Sequence, residues 1–360
     1  MAAVLTRHHD VLAALHAPEQ FSNKVSSHLN VPNGMDGAEH QAYRALIEPF
    51  FSNVVLTQFQ PKLQVVIDEL LANLDAHNDV EVMETLAHPF ALRAQCAFMG
   101  WPVALEQRLT DWMAAQNAAT LAKDRPTLRA LADEFSDIVV EQFERARRGL
   151  TAPESVTAQL TQLRLNGDPV ADDYLVSIVR NWTVGELGTI AAAVGSIVGF
   201  LAQNSVVQKQ LRAAPMHIDH AIDEILRLGA PLLTNRRRTT CPVGFGDQSF
   251  EADTTVTIDW RAANTDPGVF AEPHQFKWDR DPHLNLLYGA GVHVCPGKPL
   301  AQLELRLFTQ SLLNKFTKIE LGTRAFERAE PPRGGYRQLW VKLSQLNHSS
   351  AKSTCTAALE

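Results

Sequence analysis

The sequence predicts a mainly α fold with a small β region, held in a single domain. Three observations predict it. Apolar residues recur three and four apart over 57–76, 82–100, 127–148 and 171–203, the period of amphipathic helices. From about residue 233 the pattern turns to Thr, Val and aromatic runs broken by Gly244, Gly246 and Asp247, as short strands and their turns require. No internal repeat, low-complexity block or linker divides the 360 residues, so helices and sheet are expected to share one core.

In order along the chain, the four helical stretches come first and strand signals among them are few. Strands are predicted at 239–243, 250–253 and 255–260. The stretch 264–288 carries Pro267, Pro273 and Pro282 and no sustained periodicity, a length that suggests a functional loop. After the glycine-rich run from Gly289 to Gly297 an amphipathic helix is predicted over 298–316, followed by short strands near 336–344. The expected domain is 1–346, with 347–360 a disordered tail.

Composition excludes several classes. Hydrophobic residues make up 45% and charged residues 20%, close to globular averages, which argues against a disordered or fibrous chain. A formal charge of -7 provides no electrostatic footprint for nucleic acid. The 4 cysteines are too sparse for a disulfide scaffold and fit a reducing cytoplasm. No apolar run near the start suits a signal peptide. The most apolar run, 190–202, is shorter than the roughly 20 residues that span a bilayer. A cytoplasmic protein without membrane contact is expected.

Cys295 carries the candidate chemistry. It is followed by Pro296, Gly297 and the predicted helix, and a cysteine facing free N–H groups and the positive end of a helix dipole is expected to have a lowered pKa. Pro296 and Pro299 suit a first helical turn. Considered alone, a cysteine near a turn is more often a small hydrophobe; Cys96 in an apolar helix, Cys241 in a strand and Cys355 in the tail are read that way.

The residues around Cys295 point further. Tyr288-Gly-Ala-Gly-Val-His-Val-Cys-Pro-Gly297, continued by Leu300-Ala-Gln-Leu-Glu-Leu-Arg306, resembles the haem-binding signature of the cytochrome P450 family, with Tyr288 where Phe is more frequent. The resemblance implies a haem b cofactor with Cys295 as the axial thiolate on iron, a ligand that favours O–O cleavage. It further implies that Gly291 and Gly297 let the backbone approach the porphyrin and that His293 reaches a propionate. Glu224 and Arg227, paired on one helical face, would form with Arg280 the family's buried network bracing the cysteine loop. Two anionic propionates need cations. His40 and Arg44, four apart in Glu39-His-Gln-Ala-Tyr-Arg44, resemble the family's motif at the haem edge, and within Arg236-Arg-Arg238 the family spacing favours Arg236, to within one register step.

The resemblance makes Asn181-Trp-Thr-Val-Gly-Glu-Leu-Gly-Thr-Ile190 the oxygen-activating segment, and here the chain departs from the pattern. Thr189 falls on the usual alcohol, but Gly188 occupies the preceding position, which commonly carries an acid. Gly185 and Gly188 each cost roughly 1 kcal/mol in a helix relative to Ala, which calls for a packing or functional reason. The nearest carboxylate is Glu186. Either Glu186 and Thr189 together relay protons to the oxygen site, as general acid catalysis requires, or Glu186 merely solvates the helix.

The similarity extends from Val4 nearly to residue 345. Relatives usually carry several tens of residues before this point, and the segment 22–37, which helps roof the substrate pocket, is short. An open distal pocket is expected, which a closed, ligand-sized cavity would contradict. Pocket residues are expected from 22–37, from 105–148 and from Val184 to Thr189, mainly apolar. The implied function is monooxygenation of a small apolar substrate. Electrons would come from NAD(P)H through a separate ferredoxin or flavodoxin, because no flavin or iron–sulfur pattern is present, and the carrier would dock near Lys298. A peroxide-driven peroxygenase and a haem-binding protein that has lost catalysis are the alternatives.

Overall fold

The computed structural model describes residues 3–74, 78–245, 248–331 and 333–345. The expected disordered tail therefore lies outside the described residues. Thirteen α-helices are described, and they run α1 (His8–Leu15), α2 (Gly37–Ile47), α3 (Asn53–Ala72), α4 (His88–Met99), α5 (Leu105–Ala122), α6 (Arg125–Arg147), α7 (Val156–Leu160), α8 (Asp172–Val184), α9 (Ala191–Gln203), α10 (Ser205–Ala213), α11 (Ile218–Gly229), α12 (Trp260–Asn264) and α13 (Lys298–Lys315). The four periodic stretches and the 298–316 helix thus form as helices.

A single turn of π-helix, Gly185–Ile190, joins α8 to α9 without a break. Together they make a helix of 32 residues, Asp172–Gln203, that by length and composition alone could cross a membrane; 67% of its most apolar window is buried inside the protein, so it reads as a core helix. From Ala191 to Gly199 every residue is buried, and a helix apolar on all sides belongs in a core. Glycine is required at Gly199, where a Cβ would come within 2.6 Å of the Tyr336 ring.

The two largest of the five described sheets pack against helices. One has four strands in the order Val4–Leu5, Thr255–Asp259, Thr234–Thr239, Phe21–Ser22. The first pair is parallel and the others antiparallel. The other sheet orders Lys318–Leu321, Trp340–Ser344 and Val80–Glu81. The strand expected at 239–243 begins earlier, at Thr234, and ends at Thr239. Three consecutive arginines mask its alternation, yet the ladder to Thr255–Asp259 pairs every residue from Thr234 to Arg238. The expected strand at 250–253 stops at Phe250, because Asp253 takes a positive φ of 65° in the turn that leads to Thr255.

The helices and the sheet ending at Ser344 share one large apolar cluster, whereas the four-stranded sheet packs with α1 and α12 in a second. The single shared core expected from the sequence is therefore two cores. Phe51, Phe98 and Leu305 from the first and Trp260 from the second face a common cavity, which keeps the two apart.

Below that cavity the chain from Thr265 to Tyr288 is held by a buried ion network. Arg227 donates from Nε to Glu224 Oε2 at 2.6 Å and from Nη2 to Oε1 at 2.9 Å, and Arg280 Nε reaches the same Oε1 at 2.8 Å. Arg227 also donates to the carbonyls of Asn264 and Pro273, with the Phe270 ring 4.8 Å beneath its guanidinium. Arg227 is 1% and Glu224 2% exposed. Removing one member of such a network strands the others without solvent, so Glu224→Ala should cost about 3–5 kcal/mol. Urea unfolding of the holoenzyme measures this, and a loss below about 1 kcal/mol would deny the network its bracing role.

Candidate active site

The Cys295 loop is pinned from several sides. Cys295 N–H donates to the Tyr288 carbonyl at 2.9 Å, and the Cys295 carbonyl accepts from Lys298 N–H at 3.3 Å. Arg44 Nη1 donates to the Val294 carbonyl at 2.6 Å while its Nε and Nη2 hold Glu48 Oε1. Gly291 has a φ of +67°, and a Cβ there would come within 2.4 Å of the Leu15 carbonyl oxygen. Its glycine is thus explained by the close approach of α1, and Gly291 is not among the residues that line the cavity. Gly297 does border it, with Cys295 Sγ and Phe51 each 3.9 Å from where a Cβ would stand.

One cavity of about 780 Å³ gathers Cys295, Tyr288, Gly297 and His293 from this loop, His40 and Arg44 from α2, Arg236 and Arg237 from the sheet, and Gly185, Glu186 and Thr189 from the π-turn. Its wall reaches Asn30, exposed Asn33 and exposed Asn235, so it is no sealed, ligand-sized void. Apolar Phe98, Trp182, Ile190 and Leu300 share the wall with Gln95 and Asn181. The polar pair is already occupied: Gln95 donates to Thr183 and Asn181 to the Val31 carbonyl.

The Cys295 side chain is exposed, but to this cavity. Burial pushes its thiol above the ordinary value, outweighing the N–H groups of Gly297 and Lys298 and the charges of Arg44 and Lys298. The lowered pKa expected from the sequence is not met by the protein alone. Helix α13 is capped by Gly297, two residues beyond the cysteine, so desolvation wins, and a bound metal ion is what deprotonates such a thiol outright.

At one end of the cavity four basic side chains converge. The His40 and His293 rings lie 4.0 Å apart. Burial and Arg44 lower the pKa of His40, and burial, with His40 and Arg237 adding, lowers that of His293 to about 4. His293 Nε2 is shielded and has no hydrogen-bond partner among the described residues, its closest acid being Asp36 at 3.7 Å. Arg237 is 8% exposed, and burial lowers its pKa to about 10, whereas Arg236 is exposed. Strand alternation explains the difference: both arginines line the cavity, but Arg237 is the one whose side chain is buried there.

Elsewhere on the wall, Glu186 meets a residue the sequence reading overlooked, Glu304 of α13. Their carboxyls are within hydrogen-bonding reach. Otherwise Glu186 Oε1 and both Glu304 oxygens find no donor among the described residues. Two bare carboxylates have no proton to share, so the pair must hold at least one. Burial pushes Glu186 up to about 8 and Glu304 well above the ordinary carboxylate range, the direction that keeps a proton on the pair. The clue was available: Glu304 sits four residues from Leu300 and four from Phe308, on an otherwise apolar stripe.

A cavity lined by a thiol, by buried basic groups of which His293 Nε2 is unpartnered among the described residues, and with open space where Gly185 would carry a Cβ suits a large, flat, dianionic macrocycle. Fold and site together define a haem-thiolate protein. The sequence pattern of the cytochrome P450 family matches residues 113–331. The chain is 25% identical over 333 residues to cyclomarin C epoxidase CymV of Salinispora arenicola, covering 88% of this chain and 84% of that protein. To 6-deoxyerythronolide B hydroxylase of Saccharopolyspora erythraea it is 27% identical over 334 residues, covering 87% and 76%. The solved structure of the bacillaene polyketide synthase cytochrome P450 PksS of Bacillus subtilis 168 superposes with a TM-score of 0.87 at 23% identity, covering 96% of this chain and 91% of that one.

The chain belongs to the cytochrome P450 family. It is a monooxygenase whose cofactor is haem b.

Proposed function

We propose that this enzyme inserts one oxygen atom into a small, mainly apolar organic molecule, with electrons delivered from NAD(P)H by a separate ferredoxin or flavodoxin that docks near exposed Lys298. The observation that carries this reading is the single cavity in which Cys295, Thr189, Glu186 and Arg237 all share the wall. When bound, haem supplies thiolate-ligated iron at which dioxygen is reduced and cleaved. Cys295 holds the metal; Arg237, His40, Arg44 and His293 hold the propionates. The π-turn at Gly185–Ile190 carries Glu186 and Thr189 on one short segment, a distortion often found at functional sites, and the protonated Glu186 serves as the proton store for Thr189.

The relatives' names support a small-molecule substrate, since they include a hydroxylase of 6-deoxyerythronolide B and a linalool 8-monooxygenase. The test is the ferrous carbon monoxide difference spectrum of the holoenzyme, followed by a screen of terpenoid and macrolide-like ligands for displacement of iron-bound water and for oxidised product. Haem without any ligand-induced spectral shift or product would favour a non-catalytic haem protein. A peroxide-driven reading draws on Gly188, which leaves the acid position vacant; product formation from hydrogen peroxide at the rate of the reductase-driven reaction would favour it.

Cofactor retention separates the arginines. Arg237→Met should weaken haem retention by about tenfold or more, the loss of one charge-assisted contact of roughly 1.5–3 kcal/mol, and Arg236→Met should change it little. Haem transfer to apomyoglobin measures both, and equal effects would contradict the assignment.

A further inference from the structure

Beside the π-turn lies a second cavity of about 50 Å³, lined by Leu187 and Gly188 of that turn. Thr183, Val184, Leu187 and Gly188 form its floor, α5 contributes Trp112 and Asn117, and His88 and Arg333 close it. Its polar groups are mostly donors. Arg333 Nη1 donates to Asn117 Oδ1 at 2.7 Å, and no carboxylate pairs with Arg333 among the described residues. A guanidinium has five N–H donors, so most of its capacity is unused. His88 Nδ1 is shielded from solvent and has no partner among the described residues. Two of the acceptors are already engaged, Thr183 Oγ1 by Gln95 and Asn117 Oδ1 by Arg333, and Gln116 adds an amide that can donate or accept. At Gly188 a Cβ would meet nothing within 4 Å.

Partly buried arginines are normally matched by an acid, because an unpaired charge away from water is costly. Here the volume is enough for about three or four waters or for one small oxyanion. Val184, which borders the space, is 57% exposed, so a small solute can enter from solvent.

We infer that this second cavity binds a small monovalent carboxylate-type oxyanion, such as formate, acetate or bicarbonate, held by Arg333 and the Asn117 amide, with His88 donating from Nδ1. The anion stands beside Gly188, where no side chain fills the space. Two sources share the chemistry: a free ion, or the carboxylate end of a larger organic acid.

The test uses the holoenzyme and formate. Calorimetric titration should give saturable binding of one formate per chain, unaffected by an equal ionic strength of chloride. Gly188→Asp, which fills the space with its own carboxylate, should abolish that binding. Arg333→Gln should weaken it at least about tenfold, and serves as the second variant should Gly188→Asp fail to fold. An added medium-chain carboxylate distinguishes the sources: competition with formate indicates an organic acid's end group, and no competition indicates a free ion. Absence of saturable formate binding, or binding that survives both variants unchanged, would overturn the inference and leave the cavity to water.

Discussion

Cys295→Ser is expected to abolish the thiolate optical signature of the ferrous carbon monoxide complex while leaving part of the haem bound. The two effects separate because different residues produce them. The signature depends on a soft, charged sulfur ligand, and a serine hydroxyl at the same position stays protonated and is a poor ligand for haem iron. Retention depends also on His40, Arg44, Arg237 and His293 in the cavity wall, whose side chains the substitution leaves in place. The loop itself should persist, because it is held by the Cys295 N–H to Tyr288 bond, the Arg44 to Val294 bond and the Glu224 network, all independent of the sulfur. Oxidised product should fall to background. Absorption spectroscopy of the reduced, carbon monoxide-saturated variant decides the matter: an unchanged signature would remove Cys295 from the metal and with it the reading of the whole site.

Where the chemistry depends on local pattern, the sequence named the candidates. Cys295, the Glu224–Arg227 pair and Thr189 could each be located from spacing and resemblance, and the structure puts Cys295 and Thr189 on the same cavity and buries the pair with Arg280. Three features were not legible, for physical reasons. Which of three adjacent arginines faces inward depends on a strand phase set by pairing with residues about twenty positions away, so local sequence left Arg236 and Arg237 equivalent. Gly291 meets Leu15 across the whole length of the chain, and no window around the cysteine contains that contact. The cysteine pKa turns on competition between helix-end N–H groups and desolvation, and only the second requires knowing the fold. Glu304 differs from these: a charge on an apolar stripe was visible, but its partner Glu186 lies 118 residues earlier.

The second large effect concerns that pair. With Glu186 raised from 4.5 to about 8, the folded protein binds a proton that the unfolded chain gives up between those values. The resulting stability is present in full below about pH 4.5 and is lost as pH rises through about 8. Glu186→Gln, neutral at every pH, should remove this slope, so that the variant is the more stable protein on the alkaline side. Catalysis should move in the opposite direction. A positioned general acid contributes roughly 10²–10⁴, and water reaching Thr189 through the open cavity offsets part of its loss; product formed per reductant consumed should therefore drop by about tenfold in Glu186→Gln, the remainder appearing as peroxide. In the wild type the same ratio should decline as pH passes about 8, where Glu186 loses its proton. In the variant it should be low and flat. Glu304 tunes this midpoint, because its hydrogen bond lowers the pKa of Glu186 against the pull of burial; Glu304→Leu should shift the decline to higher pH. Measuring coupling and urea stability across pH 5 to 9 for the three proteins reads both effects at once. A helix-solvating Glu186 would leave the coupling profile of Glu186→Gln superimposed on that of the wild type, and that result would return the proton to solvent and the π-turn to a purely structural role.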